Sequence, residues 1–126
     1  MAGKVPLLTR RSILAVDNAV MFLNSLKRYL QDEPYDLHCV TSGDEALKYL
    51  KDNKVDLILT DVEMPGMNGY ELAREIKLCN IRAPIIFITA NAEKEDLDRA
   101  TAAGAASVLA KPFRTNQLLE VVKKYI

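Results

Sequence analysis

Val55–Gly69 reads VDLILTDVEMPGMNG. An apolar run ends on a carboxylate at Asp61, and the turn-forming stretch Met64-Pro65-Gly66-Met67-Asn68-Gly69 follows at once. The run is short and has no polar face, which suits a strand buried on both sides rather than a surface helix. Such a strand presents its terminal acid at the carboxyl edge of a sheet, where open α/β folds keep their chemistry.

The flanking segments repeat the pattern. Upstream, the short run Ile13–Val16 also ends in an acid, Asp17. From Asn18 to about Gln31 the residues Phe22, Leu23, Leu26, Tyr29 and Leu30 recur at helical steps, with Asn18 as the expected N-cap. Asp36–Thr41 reads as a second strand. Ser42 with Glu45 then forms a capping box for a helix that turns Ala46, Leu47 and Leu50 inward. Downstream, Asn68 and Glu71 are placed to cap each other at the start of a helix carrying Leu72, Ala73 and Ile76. Ile85–Ile88 is a fourth strand, ending in the hydroxyl of Thr89 and followed by Ala90. An Ala-rich helix over Glu93–Ala103 stops at Gly104, a strand over Ala106–Ala110 ends at Lys111-Pro112, and a last helix from about Thr115 buries Leu118, Leu119 and Val122.

Five strands alternating with five helices, joined by right-handed crossovers, make a doubly wound parallel α/β sheet with helices on both faces. At 126 residues, 49% of them hydrophobic, the chain has the size of one domain able to bury its own core. Residues 1–11 are expected to be a short polar tail and 12–126 the domain. Seventeen basic residues balance seventeen acidic ones, so no global field favours nucleic acid or an anionic membrane, and neither is expected as a direct partner. No run approaches a bilayer-spanning length, and the first residues lack the apolar core of a signal peptide. Cys39 and Cys79 sit in apolar segments without C-x-x-C spacing, which suits reduced, buried thiols in the cytoplasm. His38, on the expected edge strand, reads as structural.

A parallel arrangement brings Asp17, Asn18, Asp61, Thr89 and Lys111 to one edge. Together they offer a carboxylate nucleophile, oxygen donors for a hard divalent cation, a hydroxyl and an ammonium, which are the parts phosphoryl transfer requires.

Four motifs now carry a resemblance: ILAVDN at 13–18, DLILTDVEMPGMNGYEL at 56–72, PIIFITA at 84–90 and AKPF at 110–113. From Ser12 to Ile126 the chain resembles the receiver domain of two-component response regulators. The resemblance implies a flavodoxin-like sheet of order 2-1-3-4-5. It implies that Asp61 accepts a phosphoryl group from a histidine kinase or histidine phosphotransfer protein, with Mg²⁺ as helper. Asp17, Asn18, Asp61 and the backbone carbonyl of Glu63 would be the metal ligands. Thr89 and the Ala90 amide would bind the phosphoryl oxygens, Lys111 would pair with the phosphoryl group, and Lys111-Pro112 would be cis. Glu63 and Asn91 fall where family members tune the lifetime of the acyl phosphate. A downstream effector is expected on the face of helix 4, strand 5 and helix 5.

Two positions depart from the family pattern. Asn18 stands where a second acid is usual, which predicts Mg²⁺ binding weaker by at least about 1 kcal/mol. Val108 stands where a Tyr or Phe usually swings inward, and a valine has no ring to swing. Together they leave open a phosphorylation-independent interaction module. A second alternative, a haloacid-dehalogenase-like phosphatase built on Asp61-x-Glu63, lacks the acidic pair such enzymes carry after their lysine; only Glu120 follows Lys111.

Overall fold

A computed structural model describes residues 10–126, except for the side chain of Glu95; the expected tail up to residue 9 lies outside the described residues. The elements run β1 (Arg11–Val16), α1 (Val20–Leu30), β2 (Tyr35–Val40), α2 (Gly43–Asp52), β3 (Leu57–Asp61), α3 (Gly69–Leu78), β4 (Ile85–Thr89), α4 (Lys94–Ala102), β5 (Ser107–Ala110) and α5 (Thr115–Tyr125). All strand pairs are parallel and the order is β2-β1-β3-β4-β5, so the flavodoxin-like topology is realised. β1 begins at Arg11, and Arg10 pairs with Asp36 on β2 at 3.0 Å.

The pleat explains why the central strands read as unbroken apolar runs. Ile13 and Ala15 of β1, Leu57 and Leu59 of β3, and Ile86 and Ile88 of β4 point to one face. There they pack with Leu23, Leu26 and Leu30 of α1 and Leu118 and Val122 of α5. Their sequence neighbours Leu14, Val16, Ile58, Ile85 and Phe87 point to the other face, against Ala46 and Leu50 of α2, Leu72, Ala73 and Ile76 of α3 and Ala100 of α4. Each fully buried aliphatic or aromatic side chain contributes roughly 1.5–3 kcal/mol, so the two clusters hold the sheet edge in place. β2 is the expected edge strand, and His38 on it is exposed and stacked on Tyr49 at 3.9 Å.

Two readings are corrected. Asn18 does not cap α1. The N-cap is Ala19, and its amide donates to Asp17 Oδ1 at 2.8 Å, so the strand-end acid itself satisfies the turn. Cys79 is exposed, because α3 ends at Leu78, one residue before Cys79 would face the sheet. The chain leaves through Asn80, which adopts positive φ. Cys39 is half-buried, and burial pushes its thiol above the usual range.

Gly104 stops α4 as expected, with φ +93° and the Ala105 amide donating to Ala100 O at 3.0 Å. The Asn68–Glu71 capping box forms reciprocally, Glu71 N to Asn68 Oδ1 at 2.9 Å and Asn68 N to Glu71 Oε1 at 3.1 Å.

Candidate functional site

In-register parallel pairing sets the ends of β1, β3, β4 and β5 side by side: Val16 opposite Thr60, Asp61 opposite Ile88, Thr89 opposite Ala110. The next residue on β1 is Asp17, buried at 2% exposure, whose amide donates to Val40 O at 3.2 Å. From beyond β5, Lys111 reaches back across the edge. Its ammonium lies 3.2 Å from Asp17 Oδ2 and 3.4 Å from Asp61 Oδ1, so one cation bridges two acids that would otherwise repel. The lysine is itself anchored, its Nζ lying 4.2 Å from the ring centre of Phe22 on α1. Lys111-Pro112 is cis, as the resemblance implied.

Burial raises the pKa of Asp61 and the Asp17 charge raises it further, while Lys111 pulls it down. The carboxylate is thus more basic than an exposed aspartate.

Thr89 is buried beside the acids, with its hydroxyl engaged on its own loop. It accepts from the Asn91 amide at 3.0 Å and faces Asn91 O at 3.3 Å. Asn91 Nδ2 donates to Glu63 Oε1 at 3.2 Å, tying the loop after β4 to the loop after β3. Ala90 is exposed at the rim, and so is Asn18 next to Asp17. Hence Asp17, Asp61 and Lys111 meet directly, and Thr89 stands at the neighbouring strand end with its hydroxyl turned to Asn91. Asn18, Glu63 and Ala90 lie on the loops that surround them.

Three participants escaped the sequence reading. Gly69 lies against the backbone of Asp61: a Cβ there would collide with Asp61 O and come within 2.9 Å of Val62 Cα. Its amide donates to Val62 O at 2.8 Å, closing the loop tightly. The signal was present as a second glycine after Asp61, but spacing alone does not reveal a close approach. Phe22 reads as ordinary helix core until Lys111 is seen above it. Val108 is half-buried opposite Phe87. Tyr70 of α3 stands edge-on to Phe87 at 5.3 Å and is covered by the Arg99 guanidinium at 4.5 Å.

The model of the response regulator receiver domain family matches residues 13–123. The chain belongs to that family. Among curated relatives, the response regulator SaeR of Staphylococcus aureus is 33% identical over 120 residues, 90% of this chain and 52% of SaeR. The receiver thus spans about half the length of the curated relatives it matches. Chemotaxis protein CheY4 of Vibrio cholerae superimposes with a TM-score of 0.89 at 28% identity, over 94% of this chain and all of CheY4. The receiver domain of sensor histidine kinase PA1611 from Pseudomonas aeruginosa has a TM-score of 0.85 at 29% identity, covering 93% of this chain and 98% of its own; that structure has a magnesium ion coordinated in the active site cleft. The receiver is therefore a phosphorylatable switch domain of the kind found in two-component response regulators. No helix among the described residues is long and apolar enough to cross a membrane.

Proposed function

We propose that Asp61 is the phosphoryl acceptor, and that the donor is the phosphohistidine of a histidine kinase or phosphotransfer protein. The observation that carries this reading is the Lys111 ammonium lying between the carboxylates of Asp17 and Asp61 at the sheet edge. An Asp61 oxygen attacks phosphorus, the P–O bond forms as the P–N bond breaks, and the imidazole leaves. Lys111 exchanges its contact with the Asp61 carboxylate for one with a phosphoryl oxygen. The Thr89 hydroxyl gives up Asn91 for another, with the Ala90 amide beside it. Releasing Asn91 loosens the loop into α4, which biases the effector face of α4, β5 and α5. Transfer from small phosphodonors and slow self-hydrolysis belong to the same site. Two free thiols fit a cytoplasmic setting.

The donor set also suits Mg²⁺. Asp17, Asp61, the Asn18 amide oxygen and the Glu63 backbone carbonyl are all hard oxygens, and the two acids already hold a cation between them. When bound, the ion neutralises phosphoryl charge. Only two carboxylates contribute, and no group of three or more His, Cys, Asp or Glu gathers anywhere among the described residues.

Incubation with Mg²⁺ and acetyl phosphate, or with a phosphorylated histidine phosphotransfer protein, is expected to add one phosphoryl mass increment that Asp61→Ala abolishes. An increment that persists in Asp61→Ala overturns the assignment. No increment from either donor leaves the receiver as an interaction module, the reading that Asn18 and Val108 favour.

A further inference from the structure

Away from the acidic edge, α3 and α4 enclose a groove of about 450 Å³ lined by Tyr70, Arg74, Lys77, Arg99, Ala102, Ala103 and Gly104. Three of these residues are cations and none is an acid, on a chain whose total charge is zero. Tyr70, Arg74 and Lys77 follow one another at i, i+4 and i+7, so a single stripe of α3 supplies one wall. The opposite wall is Arg99 and the small residues that end α4. Arg74 and Lys77 make no ion pair among the described residues.

The cations are held in place. Arg99 is fixed over the Tyr70 ring. The stem of Lys77 lies across Gly104, where a Cβ would meet its Cε at 2.7 Å; the bare glycine lets the ammonium approach the groove. The helix dipole accounts for cations in last turns, as at Lys77 and Arg99, but Arg74 stands in mid-helix and gains nothing from it. Glu63 and Asp96 line the adjoining cavity on the Thr89 side of Tyr70, which shares Tyr70 and Arg99 with this groove, while Glu71, Glu75 and Asp98 lie on the same helices outside its lining. The α3–α4 cleft is therefore acidic toward the phosphoryl site and basic away from it.

We propose that the basic end of this cleft binds an extended acidic peptide segment of a partner protein. The stripe from Tyr70 to Lys77 runs about 10 Å along the helix. About three extended residues cover that distance, so acidic side chains two residues apart meet successive cations. Three cations are too few to hold a duplex or an anionic bilayer, and their linear spacing suits strung carboxylates better than one compact anion.

The test uses the 126-residue chain without Mg²⁺ or phosphodonor, so its outcome does not depend on Asp61. A fluorescein-labelled hexaglutamate peptide, followed by anisotropy at low salt, is expected to bind. Its binding should shift the amide resonances of Lys77, Ala102 and Gly104. Arg74→Glu/Lys77→Glu should weaken binding by about tenfold or more, and the neutral pair Arg74→Gln/Lys77→Gln by less. Charge reversal at Lys48 and Lys51 on α2 should leave it unchanged. Absent binding overturns the proposal, as does equal binding by the groove variants or resonance shifts confined to other lysines. Saturation by inorganic pyrophosphate with no response to the peptide would reassign the groove to a small polyanion.

Discussion

The half of the sheet edge that carries Asp61 is built differently from the half that carries Thr89. After β3, the loop is closed by the Gly69 amide on Val62 O, α3 begins with a reciprocal capping box, and the helix buries Gly69, Tyr70, Leu72, Ala73 and Ile76. After β4, α4 has Glu93 as an N-cap that makes no side-chain cap bond, and among its described residues it buries only Ala100 against the sheet. Few buried apolar contacts and an uncapped start place α4 at the low-stability end of the molecule. The contrast suits a switch, since the acceptor must be presented in one geometry while the responding element must shift for a small free energy.

The largest effect expected on this contrast comes from Gly69→Ala. The new methyl has only the Asp61 and Val62 backbone to displace, so it should cost about 1–3 kcal/mol in chemical denaturation and slow phosphorylation through the misplaced carboxylate. A variant as stable and as readily phosphorylated as the parent would break the claim that the β3 loop is rigid. Asn18→Asp sharpens the same half by restoring a charge beside Asp17. Mg²⁺ titration should show binding tighter by at least about 1 kcal/mol, and unchanged affinity would mean that the Asn18 amide already serves as well as an acid.

Capping tests the two halves directly. Asn68→Ala should cost about 1 kcal/mol, whereas Glu93→Ser, which supplies α4 with the cap it lacks, should add about 0.5–1 kcal/mol. Hydrogen exchange should slow in α4 alone in the second variant; unaltered exchange there would mean that α4 is held by something other than its ends.

The smallest effect is confined to a pH window. The Asp61 carboxyl holds its proton more tightly folded than unfolded, because of burial and Asp17. Between the unfolded value of about 3.9 and the raised folded one, the native state binds more protons, so stability falls as pH rises through that interval and stays lower above it. Without Mg²⁺, Asp61→Asn should match the parent below the window and exceed it above, as read by denaturation across a pH series. A gain equal at every pH would contradict the electrostatic origin.

Much of this was legible in the residues. Ile13–Val16, Asp56–Thr60 and Ile85–Ile88 announce the central strands, and each is followed by a polar residue at the same sheet edge. The Asn68–Glu71 cap and the stop at Gly104 were equally readable, because they depend on local backbone geometry. What failed was also local in appearance. Asn18 looked like an N-cap, but the buried Asp17 carboxylate competes for the same turn and wins. Cys79 looked like core because periodicity says nothing about the residue at which a helix stops.

Alone, then, the sequence determined the alternation of strand and helix, the parallel sheet and the identity of the four strand-end groups, because hydrophobic periodicity and capping chemistry act over a few residues. Tertiary structure alone decided that Lys111 bridges Asp17 and Asp61 above Phe22, that Gly69 lies against the Asp61 backbone, and that the Tyr70 ring stands edge-on to Phe87, the strand partner of Val108. Those contacts join residues up to 94 positions apart. Their distances follow from the register and packing of the whole sheet, which no single segment encodes.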